Sequence, residues 1–221
     1  MIGADAIVKC LEAEGVTTVF GYPGVAICPF YNSILGSDIR TVLIRTEQNA
    51  AHAASGMARL TGRPGVCAVT SGPGATNLIT GIATAFADSI PLICITGQVN
   101  SELLGSDVFQ EADITGAAES FVKYSYLVRN AEDIPRVFKE AFHIANTGRK
   151  GPVLIDIPID VQNAVCNKFK YPEEVSLRTY KPTVKGNAVQ IKKVIKGLEK
   201  AKRPLFWKIW AFISWTICPP P

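Results

Sequence analysis

The feature that most constrains this chain is the alternation of short, unbroken apolar runs with longer amphipathic segments. The apolar runs lack the polar alternation of a half-exposed strand, which is typical of strands covered by helices on both faces. They include residues 66–70 (VCAVT), 91–96 (PLICIT) and 152–158 (PVLIDIP), and further strands are predicted at 16–21, 39–44 and 121–128. Helices are predicted between them at 4–14, 29–35, 47–60, 75–87 and 133–145. This order predicts an α/β fold, a doubly wound and mostly parallel sheet with helices on both faces.

In such a sheet, ligands bind at the carboxyl ends of the strands. Four polar or glycine-rich segments follow predicted strands here: Tyr22-Pro23-Gly24, Glu47, Ser71-Gly72-Pro73-Gly74 and Gln98. The sequence therefore predicts a site at this edge.

Composition excludes several classes of protein. With 221 residues, 48% of them hydrophobic, and a net charge of +4, the chain is expected to fold rather than to stay disordered. Its basic residues are not clustered with aromatic ones, so we expect no nucleic-acid partner. No apolar run reaches the roughly 20 residues of a membrane span, so we expect no membrane association.

The cysteine and histidine patterns give no metal site. The six cysteines contain no C-x-x-C pair, so we expect buried, reduced thiols and a cytoplasmic protein. The two histidines are His52, expected to be packed or surface-facing, and His143, expected to lie in the core.

The chain divides into three parts by composition. Residues 1–162 carry the α/β pattern, residues 163–186 are polar with scattered prolines and are predicted to be a linker, and residues 187–221 are expected to open a second domain. From residue 205 the pattern breaks into an apolar tail, LFWKIWAFISWTICPPP, that contains all three tryptophans. We interpret this tail as the result of a truncation or a frameshift.

Two motifs have competing interpretations when each is taken alone. Ser71–Asn77 (SGPGATN) joins a strand to a helix and could let a ligand approach the backbone, or it could be a tight turn with packing glycines. It is an incomplete dinucleotide fingerprint. Glu47 begins a helix, where a carboxylate usually only complements the helix dipole. However, its small apolar neighbours would desolvate it and favour its protonated form, which suits a proton-exchanging acid.

Five segments together closely resemble the amino-terminal, pyrimidine-binding domain of the acetolactate synthase large (catalytic) subunit, a thiamine-diphosphate enzyme. They occur in the family's order and spacing between about residues 2 and 204: GVTTVFGYPG, RTEQNAAHAASGMAR, VTSGPGATNLITGIATAFADSIPLICITGQV, FQEADI and HIANTGRKGPVLIDIPIDV. The resemblance implies a transferase of branched-chain amino-acid biosynthesis. Pyruvate is decarboxylated, and the two-carbon unit is added to a second pyruvate or to 2-oxobutyrate.

The resemblance also implies roles for particular residues. Glu47 matches the catalytic glutamate, which would hydrogen-bond the pyrimidine N1′ of thiamine diphosphate and favour the imino tautomer that removes the thiazolium C2 proton. Other matching positions would bind the cofactor or face the substrate. The thiamine-diphosphate positions are Pro23, Gly24, Gly74, Asn77 and Gln110; the substrate-side positions are Val25, Phe109 and Gln110; and Arg149 matches an arginine that contacts FAD.

The sequence departs from the family pattern at four positions that bear on substrate preference. They are Val25 in place of glycine, Thr46 in place of histidine, Asn100 in place of proline and Ile159 in place of lysine. The chain also lacks the G-D-G…N-N motif that holds Mg²⁺ and the diphosphate, so we expect no metal ligands in it and no catalysis by the isolated chain.

The resemblance further implies partners for the full-length protein. A homodimer or tetramer is expected, with 2-oxo acid substrates and a small regulatory subunit. The alternatives are another thiamine-diphosphate carboligase or an acetyltransferase, and a non-catalytic fragment that pairs with an intact subunit. A dinucleotide-binding domain is the competing fold-level interpretation.

Overall fold

A six-stranded sheet, parallel throughout, forms the centre of the protein. The structure is a computed structural model and describes residues 1–205. The strands follow the order β2-β1-β3-β4-β6-β5 across the sheet. They are β1 Thr18–Tyr22, β2 Arg40–Leu43, β3 Gly65–Val69, β4 Leu92–Gln98, β5 Tyr124–Leu127 and β6 Pro152–Pro158. This confirms the predicted α/β class.

The three central strands explain the unbroken apolar runs of the sequence. Every residue of β3, β4 and β6 is buried, because helices cover both faces of this part of the sheet. The register of β4 with β6 runs from Leu92 opposite Pro152 to Gln98 opposite Pro158. Their carboxyl ends therefore finish level with each other.

Helices supply side chains to two cores, one on each face of the sheet. The helices in residues 1–205 are α1 Gly3–Ala13, α2 Cys28–Ile34, α3 Glu47–Thr61, α4 Pro73–Thr76, α5 Ile79–Ala87, α6 Ile114–Ala118, α7 Ile134–Asn146, α8 Ile159–Asn163 and α9 Ala188–Lys200. The core on one face takes its side chains from α1, α2 and α7. The core on the other face takes them from α3, α5 and α6.

The predicted helix at 75–87 is wrong in its extent. The structure divides it into α4 and α5 because the chain tightens after Thr76, where the Leu78 N–H donates to the Ala75 carbonyl, three residues back. The helices α6 and α8 were not predicted, since five residues are too few to show a helical period. The strand predicted at 121–128 is shorter, because Glu119–Phe121 forms a 3₁₀ turn.

Part of the predicted linker packs on the domain. Tyr171 donates a hydrogen bond of 2.7 Å from its hydroxyl to Glu14, at the end of α1. Tyr180 donates one of 2.7 Å to the Thr147 carbonyl, at the end of α7. Beyond them, every residue of α9 is exposed. The predicted apolar tail lies outside the described residues except for Leu205, and within residues 1–205 no helix has the length and hydropathy needed to cross a membrane.

Candidate functional site

Glu47 lies at the edge of the sheet where the strands end, and its carboxylate faces a glycine. It is the first residue of α3, which starts shortly after β2, and it is half-buried. Its Oε2 accepts a hydrogen bond of 3.0 Å from Asn77 Nδ2. A Cβ atom placed on Gly74 would lie 3.4 Å from its Oε1. One carboxylate oxygen is thus hydrogen-bonded to Asn77, and the other lies beside the backbone of Gly74.

Thr70 packs against two turns that contain Gly24 and Gly74. We call these three residues the glycine floor of the site. A Cβ on Gly24, in the turn after β1, would lie 2.6 Å from Thr70 Cβ, and one on Gly74 would lie 2.7 Å from Thr70 Cγ2. Both contacts are closer than a real Cβ tolerates, so glycine is required at both positions. Thr70 Oγ1 is buried there without a hydrogen-bond partner among the described residues, and such a group in a native fold calls for an explanation.

The loop at residues 105–113, which we call the substrate-side loop, packs on the same floor. Gly72 has φ of +59°, and a Cβ there would lie 2.7 Å from the Gln110 carbonyl oxygen. Gln110 itself has φ of +58°, a strained conformation for a residue with a side chain. Phe109 beside it is 86% exposed, and Val25, which follows Gly24, is 76% exposed.

The structure therefore brings most of the predicted site residues to one edge. They are Pro23, Gly24, Val25, Glu47, Gly74, Asn77, Phe109 and Gln110.

Arg149 lies elsewhere, before β6 and thus at the opposite edge of the sheet. Its Nε donates to Ser89 Oγ at 2.9 Å and its Nη2 to the Phe86 carbonyl at 3.1 Å. Its guanidinium also lies over the Phe86 ring, 5.3 Å from the centroid. Arg149 thus closes the carboxyl end of α5, a role that the sequence did not indicate.

The four departures from the family pattern occupy different surroundings. Val25 and Thr46 are exposed beside Gly24 and Glu47 respectively. The Asn100 side chain accepts a hydrogen bond of 3.1 Å from the Glu102 N–H and begins a 3₁₀ turn. Ile159 is half-buried at the start of α8.

A buried polar network that was not predicted lies beneath the substrate-side loop. Asp156 on β6 accepts hydrogen bonds from Thr96 Oγ1 at 2.6 Å and from Gln98 Nε2 at 3.0 Å. Burial raises the pKa of Asp156 to about 7, although these two hydrogen bonds oppose the rise. The signal was present in the sequence, since Asp156 is the single charged residue in an otherwise apolar strand.

The expectations for the sulfur and imidazole side chains hold only in part. Cys10, Cys67, Cys94 and Cys166 are buried free thiols, but Cys28 is exposed at the start of α2, and Cys218 lies outside the described residues. His52 is half-buried. His143 is also half-buried rather than a core residue, because its ring meets the edge of Tyr180 from the predicted linker. Among residues 1–205, no three His, Cys, Asp or Glu side chains are grouped to hold a metal ion.

Comparison with known proteins matches this arrangement to one family. A family profile described as "Thiamine pyrophosphate enzyme, N-terminal TPP binding domain" matches residues 1–117. The chain is 52% identical over 207 residues to the "Probable acetolactate synthase large subunit" of Methanocaldococcus jannaschii, covering 93% of this chain and 35% of that protein. It is also 52% identical over 208 residues to the "Acetolactate synthase large subunit" of Haemophilus influenzae, covering 93% of this chain and 36% of that protein.

A relative from Corynebacterium glutamicum, also named "Acetolactate synthase large subunit", is 51% identical over 208 residues, which are 94% of this chain and 33% of that protein. The chain thus spans about a third of the length of the curated relatives that it matches. The family profile covers the turns and helices that build the Glu47 site. The chain therefore belongs to the thiamine pyrophosphate enzymes and carries their N-terminal TPP binding domain.

Proposed function

We propose that this chain supplies the pyrimidine-binding side of an acetolactate synthase, which condenses pyruvate with a second pyruvate or with 2-oxobutyrate. The observation that carries the proposal is the Glu47 carboxylate, which Asn77 holds through one oxygen while the other faces Gly74. The relatives named above, all called acetolactate synthase large subunits, support this reaction over another carboligase or an acetyltransferase.

Glu47 would exchange a proton with a ring nitrogen of the cofactor. Glu47 is half-buried, so that Oε1 would still reach a ligand in the site. The hydrogen bond from Asn77 Nδ2 to Oε2 fixes the orientation of the carboxylate, so that Oε1 points to one place. Such orientation is what general acid–base catalysis requires of the group that transfers the proton.

The glycine floor would bind the flat face of the pyrimidine ring. The turns at Gly24 and Gly74 both pack closely on Thr70, which leaves no room for a Cβ at either glycine. When bound, thiamine diphosphate supplies the nucleophilic carbon and the electron sink that decarboxylation of a 2-oxo acid needs. Pro23, Asn77 and Gln110 would line the same ring.

The substrate would meet the exposed side chains around that floor. Val25, Phe109 and Gln110 surround it from two segments, and the apolar pair suits the methyl or ethyl group of a small 2-oxo acid. Ile159 removes the positive charge that the family pattern has near the carboxylate of such a substrate, so we expect weaker recognition of that anion.

Further parts of the proposal concern groups beyond these residues. Mg²⁺ and the diphosphate would be held by another part of an acetolactate synthase. Arg149 would contact FAD, and the full-length protein would form a homodimer or tetramer with a small regulatory subunit. A cytoplasmic location is supported by the free thiols of Cys10, Cys28, Cys67, Cys94 and Cys166.

A graft tests the proposed function directly. Residues 1–200 of this chain replace the matching segment of the Haemophilus influenzae relative, and we call the product the grafted enzyme. With Mg²⁺, FAD and thiamine diphosphate, we expect it to form acetolactate from pyruvate, whereas the 221-residue chain alone forms none. A folded graft that binds thiamine diphosphate but forms no acetolactate would contradict the proposal.

The substrate class is tested in the same assay. Competition between pyruvate and glyoxylate as acceptors separates acetolactate synthase from related carboligases. Preference for pyruvate or 2-oxobutyrate is the expected result, and preference for glyoxylate would assign the chain to a different carboligase.

A further inference from the structure

We propose that Asp156 is a positioning residue for the substrate-side loop and that it acts through the side-chain amide of Gln98. The inference rests on the proposed function only in assigning residues 105–113 to the substrate. The family resemblance gives Asp156 no role, and its single charge in an apolar strand does not by itself show what the side chain contacts.

The sheet places the carboxyl of Asp156 among fixed partners. Thr96 on β4 lies opposite Asp156 on β6 in the parallel register. Asp156 Oδ1 accepts a hydrogen bond of 2.6 Å from Thr96 Oγ1, and Oδ2 accepts one of 3.0 Å from Gln98 Nε2. Asp156 and Gln98 are each only 2% exposed. Each of these residues lies on a fully buried strand, Gln98 on β4 and Asp156 on β6, so neither side chain can turn to solvent.

The carboxyl determines which way the Gln98 amide points. When the proton is absent or lies on Oδ1, Asp156 Oδ2 accepts, so the amide nitrogen of Gln98 faces it rather than the amide oxygen. The second hydrogen of the same nitrogen then reaches the Ala112 carbonyl, 2.9 Å away. On the other side, Gln98 Oε1 accepts from the Val99 N–H at 2.9 Å. Both amide hydrogens are used, and a flipped amide would lose both bonds.

Ala112 is the residue before the last in the substrate-side loop. It follows Gln110 by two positions, and Gln110 holds its strained φ while its backbone packs on Gly72. On the far side of Ala112, Asp113 begins α6 by accepting a hydrogen bond of 2.9 Å from the Gly116 N–H. The hydrogen bond from Gln98 to the Ala112 carbonyl therefore joins the loop to the sheet just before α6 begins.

The protonated and ionised forms of Asp156 both support this connection. If Oδ1 is protonated, it can donate to Thr96 Oγ1 while Oδ2 still accepts from Gln98. Asparagine reproduces the neutral arrangement, since its carbonyl oxygen accepts from Gln98 and its amide donates to Thr96. Leucine at position 156 fills similar space without either bond. This difference separates a positioning role from simple space filling.

The test is hydrogen–deuterium exchange on the 221-residue chain at pH 7, read in peptides that cover residues 103–113. Several amides in this stretch are hydrogen-bonded, including those of Gly105, Ser106 and Glu111. We expect Asp156→Leu and Gln98→Leu to raise their exchange rates at least tenfold. Asp156→Asn should stay within about threefold of the unchanged chain.

Thr96→Val is the matched control, because it removes the other hydrogen bond of Asp156 and leaves the Gln98 connection intact. Its loop exchange should stay within about threefold, measured relative to α1 in the same molecule. If Asp156→Leu does not fold, Gln98→Leu and Asp156→Asn still decide the matter. Unchanged loop exchange in Gln98→Leu, or equal loosening in Asp156→Asn and Asp156→Leu, would overturn the proposal.

This experiment contains neither cofactor nor substrate. A loop that loosens as expected, together with a grafted enzyme that forms no acetolactate, would refute the proposed function and leave the connection standing. An active graft with unchanged loop exchange would refute the connection alone.

Discussion

Two carboxyl groups lie at the same edge of the sheet in opposite surroundings. Glu47 begins a helix, is half-buried, and has one side-chain hydrogen bond, from Asn77. The Asp156 carboxyl lies in the interior, and its two oxygens accept hydrogen bonds from Thr96 and Gln98. A carboxyl that must exchange protons with a ligand needs an accessible oxygen, whereas one that positions a neighbour needs every oxygen engaged.

The difference also shows how burial decides the chemistry of the same functional group. Burial raises the pKa of Asp156, and the negative charge of nearby Asp113 raises it further, while the two hydrogen bonds lower it. Asp113 itself is stabilised in its charged form, because hydrogen bonds from the Gly116 N–H and the Thr115 hydroxyl lower its pKa. The same edge of the fold thus holds an interior acid and a surface acid with opposite tendencies.

The largest expected effect is on catalysis and separates the two carboxyls. In the grafted enzyme, Glu47→Gln should lower kcat for acetolactate formation by about 10²–10⁴-fold, the usual contribution of general acid–base catalysis. Asp156→Asn should lower it by less than about tenfold, since the amide keeps the Gln98 bond. Steady-state assays on both variants make the measurement. Equal losses would remove the distinction drawn between the two groups.

The second effect is on stability as a function of pH. A folded-state pKa raised to about 7 means that the folded chain holds a proton that the unfolded chain releases near pH 4. The resulting stabilisation is complete below about pH 4 and is lost as pH rises to about 7. Between these limits the free energy of unfolding should fall by at most about 1.4 kcal/mol per pH unit.

Urea unfolding of the 221-residue chain and of Asp156→Asn between pH 4 and pH 8 measures this dependence. The difference in unfolding free energy between the two chains should decrease with pH and level off above about 7. A difference that stays constant would show that Asp156 does not carry the proton.

The third effect tests the glycine floor beside Glu47. In Gly74→Ala the new Cβ would lie 2.7 Å from Thr70 Cγ2, and we expect a loss of about 1–3 kcal/mol of stability from overpacking. Adding Thr70→Ser removes Cγ2 and should recover most of that loss. The same addition should not rescue Gly24→Ala, whose Cβ would meet Thr70 Cβ at 2.6 Å. Rescue of both variants, or of neither, would contradict this packing.

The smallest effect concerns Arg149, at the other edge of the sheet, where its guanidinium binds the carboxyl end of α5. Arg149→Ala should lower the unfolding free energy by about 1 kcal/mol, since the α5 carbonyls lose a charged donor. Arg149→Lys should not restore it, because lysine cannot reach Ser89 and Phe86 together. Urea denaturation of the isolated chain, which holds no FAD, measures it. An unchanged midpoint would show that the arginine does not support α5.

Much of the fold could be predicted from residue patterns alone. The unbroken apolar runs at β3, β4 and β6 report burial on both faces, which only a covered parallel sheet provides. The five-residue helices α6 and α8 could not be predicted because they are too short to show a helical period. In α8 the Gln162 amide also donates to the Ala26 carbonyl at 2.8 Å, a contact distant in sequence.

Site residues that follow the ends of strands could be predicted from the order of the elements. Site residues whose roles depend on contacts between strands or turns could not. Glu47, Gly24 and Gly74 follow strands whose ends meet at one edge, so their proximity could be inferred from the predicted topology. Thr70 and Asp156 gave no such indication. Their roles arise from the close approach of two turns and from the register of β4 with β6, which no local pattern specifies.

The proposed function depends on Glu47 exchanging a proton with the cofactor. The most direct measurement is the rate of deuterium exchange at C2 of thiamine diphosphate bound to the grafted enzyme, followed by NMR with and without Glu47→Gln. We expect the substitution to slow exchange at least about 10²-fold, with cofactor affinity and unfolding midpoint nearly unchanged. An exchange rate that does not change would contradict the account.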